Sequence, residues 1–199
     1  MGSFTFDQGL EVFRQEMPIK GKTYRTFRWG KDLQIWLVEG RDYRSPNTMR
    51  DGPEKTIWGK DQMDWFKRTV SASDATFKVL ISPTPVIGPD RPTKKDNHSN
   101  KGFFYEGENI RKFISSQPNM YVVCGDRHWQ YVSKNRKYGI VEFSIGPNSM
   151  EHAGGWKQDN VMPEHLYLNV VGGVMTVTID PKDSPKIIVR HYDVDGNEL

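Results

Sequence analysis

The chain has 199 residues, 36% of them hydrophobic and 27% charged, with a formal net charge of +3. That length is one domain or most of one, and six Trp, eight Tyr and ten Phe supply enough large apolar side chains for a core, which excludes global disorder. No apolar run approaches the ~20 residues of a membrane helix, the single Cys124 excludes an internal disulfide, and Lys and Arg are scattered rather than gathered into a basic stripe, so nucleic acid is not supported as a partner.

In chain order, Met1-Gly2-Ser3-Phe4 has no charged segment leading into an apolar one, so no secretory signal is expected and the compartment stays open. Asp7 to Met17 carries Leu10, Phe13 and Met17 at spacings of three and four, which predicts a short helix stopped by Pro18. Thr23 to Trp29 and Leu33 to Val38 predict two strands joined as a hairpin across Gly30-Lys31. Gly40 to Pro53 reads as loop. A helix is expected over Lys60 to Ser71, with Gly59 as N-cap, Gln62 three residues on, and Met63, Phe66 and Val70 inward.

Phe77 to Ser82 predicts a buried strand, and Pro83 to Phe103 a long loop of the length that is usually functional or disordered. Glu106 to Ser116 predicts a helix and Asn119 to Cys124 an apolar strand. Ile140 to Ser144, Leu166 to Val171, Val174 to Ile179 and Ile187 to Tyr192 predict further strands, with Gly172-Gly173 as a tight turn. No internal repeat is visible. The order is mixed α/β, with layered sheets and helices outside.

The strongest chemical signal is Gly125-Asp126-Arg127-His128, delivered at the end of a strand, where open α/β sheets bind ligands. Asp126 and His128 are two apart, so in an extended loop both face one centre, and their oxygen and nitrogen suit Zn, Fe or Mn. Arg127 is a fixed cation suited to phosphate oxygens. The same pattern also fits a turn with a solvated Asp and a satisfied His.

Three further clusters are candidates, each also readable as a solvated loop. Arg41-Asp42-Tyr43-Arg44 could clamp an anion with two guanidinium groups. Lys94 to Asn100 offers Asp96, Asn97 and His98 as metal-type donors, and Glu151-His152 offers a loop histidine. Cys124, Trp36, Trp58 and Trp65 read as core, and His165 and His191 as packed or solvent-facing. Ser82 and Ser149 lack a nucleophile elbow, and neither a Gly-rich phosphate loop nor a Cys-based zinc pattern is present.

Taken in order, Tyr24-Arg25-Thr26-Phe27-Arg28-Trp29-Gly30, Arg41-Asp42-Tyr43-Arg44, Gly59-Lys60-Asp61-Gln62 with Trp65, Ser82-Pro83-Thr84-Pro85, Val123-Cys124-Gly125-Asp126-Arg127-His128-Trp129 and Tyr192-Asp193-Val194-Asp195-Gly196 resemble the PhoD-like alkaline phosphatase and phosphodiesterase family of metallophosphoesterases. The resemblance runs over nearly the whole chain. It implies an α/β, layered metallophosphoesterase-type fold of two mixed sheets flanked by helices. It also implies a phosphate-ester substrate and metal-assisted hydrolysis, the metals being Fe, Ca, Mn or Zn. By this analogy Asp126 and His128 are metal ligands and Arg41 and Arg44 nearby candidates for phosphate or structural contacts, with His98 and His152 as further candidates from the residues themselves.

Two departures qualify the analogy. Glu39 and Gly40 stand where the family has Asp and Thr, and the family's earlier metal-binding motifs do not occur. Residues 1–199 are therefore expected to be a single unit, the C-terminal part of a PhoD-like metallophosphatase domain, with little activity alone. Its partner would be an N-terminal half or a second copy of itself. The alternative is a non-catalytic binding or structural module, half of a split or oligomeric assembly.

Overall fold

In the computed structural model, residues 3–17 and 19–199 are described; the expected helix stop at Pro18 and the first two residues of the N-terminal reading lie outside them. In chain order the elements are α1 (Phe6–Glu16), β1 (Arg25–Trp29), β2 (Leu33–Leu37), α2 (Gly59–Ser71), β3 (Phe77–Ser82), α3 (Phe104–Ser115), β4 (Met120–Cys124), β5 (Gln130–Lys134), β6 (Val141–Ile145), β7 (His165–Asn169), β8 (Gly173–Asp180) and β9 (Lys186–Asp193).

Seven strands form one mixed sheet in the order β1-β2-β3-β4-β6-β5-β7, and β8 and β9 form a separate hairpin. The neighbours β2, β3, β4 and β6 run parallel, and the flanking pairs are antiparallel. The α/β layered class is therefore as expected. Parallel strands with apolar residues on both faces need a layer on each side. On one face α2 and α3 bury Phe66, Val70, Ile110 and Ile114 against Trp36, Leu80 and Val122. On the other, Leu33, Phe77, Val79 and Val123 pack under Met175, Ile179 and Ile187 of the β8–β9 hairpin. That cover is incomplete: Phe27 and Trp29 of β1, paired with Ile35 and Leu33 on this second face, stay 49% and 76% exposed.

Local details depart from the sequence reading in three places. Gly59 is not the cap of α2 but its first residue, and Thr56 Oγ1 accepts the Gly59 N–H at 2.7 Å. A Cβ on Gly59 would come within 2.9 Å of Tyr43, which accounts for glycine there. Gly172-Gly173 is not a hairpin turn either, because β7 and β8 belong to different sheets. It is a crossing point where added Cβ atoms would run into the Ser149 and Tyr192 carbonyls. Finally, β5 has no counterpart in the expectations. Its Gln130 and Ser133 are polar yet buried, which hides the strand from a hydrophobic pattern. The β1–β2 hairpin forms as expected, with Asp32 also in the link, where its carboxylate accepts the Thr76 hydroxyl at 2.7 Å.

Candidate active site

All four parallel strands end on the same edge of the sheet. The chain leaves β2 toward Arg41–Arg44, β3 toward residues 83–103, β4 toward Asp126–His128, and β6 toward Glu151–Gly155. Each candidate cluster therefore sits at a carboxyl end, which is where open parallel sheets place ligands.

After Cys124 the loop alternates. Asp126 and His128 are exposed, whereas Arg127 and Trp129 are buried. Both Asp126 and His128 border one small cavity of about 220 Å³, together with Asp96, Arg91, Lys94 and Gly154. Asp126 and His128 thus share one cavity wall. Asp126 takes a positive φ of 66°, a conformation Asp tolerates better than most residues and one that concentrates at functional sites. Its carboxylate pairs with the Arg127 guanidinium.

Arg127 is anchored from behind. It donates to Asp90 Oδ1 at 2.6 Å, and both side chains are out of water. Burial alone would lower its pKa, but Asp90 and Asp126 outweigh that and raise it. The Asp90 loop is itself held by Glu142, which accepts the N–H groups of Val86, Ile87 and Gly88 at 2.7, 3.0 and 2.8 Å and the Tyr131 hydroxyl at 2.9 Å. Burial pushes the Glu142 carboxyl above its usual range despite these donors. The β6 loop is tied in by the Gly154 N–H, which donates to the His128 carbonyl at 2.8 Å.

The other candidates lie around this cavity rather than in it. Arg44 donates to the Asp96 carbonyl at 2.6 Å and rests on the Phe103 ring, and burial followed by Arg41 lowers its pKa. Arg41 is exposed. Its loop is fixed by Glu39, whose carboxylate accepts the Arg41 and Asp42 N–H groups, both at 2.6 Å, and by buried Gln62, which bonds the Glu39 backbone twice. His98 is fully buried, with Nε2 2.9 Å from Glu106 Oε2, and His152 is exposed on a short 3-10 turn. Neither borders the cavity.

Sequence reasoning missed Asp90, Arg91, Glu142 and Trp156. One signal was available: Glu142 is a charge at an inward position of an alternating strand. The other three depend on which loops meet.

A metal centre needs about three protein ligands and an open position. Asp126 carries the Arg127 guanidinium, and Asp96 accepts amide N–H groups from Asn97 and Asn100. Among the described residues no three His, Cys, Asp or Glu side chains are grouped to hold a metal ion. These residues by themselves do not fit a complete catalytic metal site.

The sequence pattern of the family described as PhoD-like phosphatase matches residues 8–174. Among solved structures, that of PhoD resembles this fold with a TM-score of 0.65 at 18% identity, covering 95% of this chain and 48% of that one. A dimetal phosphatase from Danio rerio gives a TM-score of 0.44 at 11% identity, over 62% of this chain and 48% of that one. The chain thus spans about half the length of the structures it resembles. No curated protein sequence matches it.

Proposed function

The chain belongs to the PhoD-like phosphatase family, and on that premise we propose that its 125–129 loop forms the phosphate-ester-binding part of a metal-dependent hydrolase centre. One observation carries this reading: Asp126 and His128 face the same cavity while Asp90 fixes Arg127 between them. Arg91 and Lys94 add cations to the same wall. Planar guanidinium groups suit the oxygens of a phosphate ester. Arg44 acts on the site through the Asp96 carbonyl.

Metal ions of the Fe, Ca, Mn or Zn kind would supply the hydrolytic chemistry of such a centre, and Asp126 and His128 are the donors this chain offers. The remaining ligands come, on this reading, from polypeptide beyond these 199 residues. The partly uncovered second face of the sheet supports such an added layer. The chain alone is therefore expected to bind phosphate but hydrolyse esters little.

The test has two arms. Titration with inorganic phosphate is expected to shift the amide resonances of residues 126–129, and Arg91→Ala to weaken that binding; no shift at all would remove the reading. Hydrolysis of bis(p-nitrophenyl) phosphate with added Fe, Ca, Mn or Zn is expected to stay at background. Turnover that disappears in His128→Ala would instead make the chain a complete enzyme.

A further inference from the structure

A second depression adjoins the Asp126–His128 cavity. It is a groove of about 410 Å³ bordered by Arg91, Pro92, Gly155, Trp156, Lys157 and Asn160. Arg91 and Gly155 border both spaces, so the two are neighbours on the surface. A ligand with its phosphate beside Asp126 and His128 would extend its alcohol portion toward Trp156.

We propose that this groove is a subsite for a planar aromatic group carried by the phosphate ester, as in an aryl phosphate. The proposal rests on the phosphate reading of the neighbouring cavity and adds the chemistry of the group attached to it. Trp156 is only partly buried, yet it is held still. Its ring stacks on Trp129 with centroids 5.3 Å apart and 24° between planes, His165 meets it at 81° with centroids 5.8 Å apart, and its indole N–H donates to the Asn160 carbonyl at 2.9 Å. A rigid indole loses little freedom when another ring packs against it, which is the condition under which aromatic contacts add to affinity.

The flanking residues fit the same ligand. Arg91 places its guanidinium over the Trp129 ring at 5.9 Å, so one side chain borders both the aromatic wall and the anion cavity. Gly155, with φ of 82°, stands at the junction, and a Cβ there would approach Arg91 Nη1 at 3.4 Å and Trp129 Cζ3 at 3.6 Å. Those are ordinary contact distances, so it is the left-handed backbone that favours glycine, and a side chain at 155 would lie against Arg91 and Trp129 where the two spaces meet.

The experiment compares phenyl phosphate with methyl phosphate on the full chain, by calorimetry and by the shift of the Trp156 indole N–H resonance. Both carry the same charged group, so their affinity ratio isolates the ring. Phenyl phosphate is expected to bind roughly 5- to 150-fold tighter, the range for stacking one ring on an aromatic side chain, and to move the Trp156 resonance where methyl phosphate does not. Trp156→Leu should collapse the ratio toward one, Trp156→Phe should restore part of it, and Gly155→Ala should lower it. A ratio near one in the wild-type chain, with no selective Trp156 shift, overturns the subsite and leaves the phosphate reading standing. Failure of both esters to bind overturns both readings. The wild-type ratio and resonance decide the matter even where Trp156→Leu does not fold.

Discussion

Arg127 donates to Asp90 at 2.6 Å across 37 residues of chain, and neither side chain touches water. This pair joins the β4 loop to the β3 loop under the candidate site. A buried ion pair adds little net stability over an apolar one, but removing one partner strands a charge. Arg127→Met and Asp90→Ala are each expected to lower unfolding free energy by about 3–5 kcal/mol, read from urea midpoints. The double variant should lose less than the sum of the singles, and additive losses would show that the two groups do not act as a pair.

Glu106 is a buried acid-sensitive point of the fold. Burial pushes its carboxyl up, but the His98 ring at 2.9 Å and the Ile57 N–H at 2.5 Å, with the Thr56 hydroxyl, outweigh it, and its pKa lies below the usual 4.5. A carboxyl depressed in the folded state stabilises above its unfolded pKa and loses that contribution as pH falls through the folded value. The stability advantage of the wild-type chain over Glu106→Gln is therefore expected to shrink as pH drops below about 4.5. A pH-independent difference would count against this.

Glu142 behaves with the opposite sign. Its carboxyl is raised by burial, so the folded chain holds that proton more tightly than the unfolded one. Its contribution is fully present below the usual carboxylate range and falls as pH rises through the raised value. Glu142→Gln replaces one of the two accepting oxygens by an NH2 group, which opposes either the Val86 and Ile87 N–H groups or that of Gly88. It should cost about 1–3 kcal/mol, most at low pH and less as pH rises through the raised value, and speed hydrogen exchange at Val86, Ile87 and Gly88. Unchanged exchange there would mean that Glu142 does not hold the loop.

Phe27 and Trp29 lie on the partly covered face of the sheet, on its outer strand β1. Exposed apolar surface beside an edge strand promotes association. Light scattering over a concentration series is expected to show growing mass for the wild-type chain, and less for Trp29→Lys with its circular dichroism spectrum unchanged. A monodisperse monomer at all concentrations would argue against an uncovered interface.

His128 is exposed and has no role in the core. His128→Ala should change unfolding free energy by no more than about 0.5 kcal/mol, as expected for a surface substitution, while weakening phosphate binding by several-fold. A large stability loss would mean that the residue is structural.

Periodicity located α2 and α3, because Phe66 and Val70 on one helix face must meet a core, and the nearly continuous apolar run around Leu80 marked a strand buried on both faces. The order of residues also put Asp126 and His128 in one loop after an apolar strand, but that both border one cavity was decided by the fold, since Asp126 takes a positive φ rather than an extended one. Strand β5 was hidden because Gln130 and Ser133 are buried by their sheet neighbours, not by their own polarity. Tertiary structure alone decided that Asp90 meets Arg127, that Glu142 caps three backbone N–H groups far along the chain, and that Trp156 stands beside Arg91. Those partners come from strand β6 and from loops after different strands, and their meetings are set by the parallel order of the strands rather than by any local pattern.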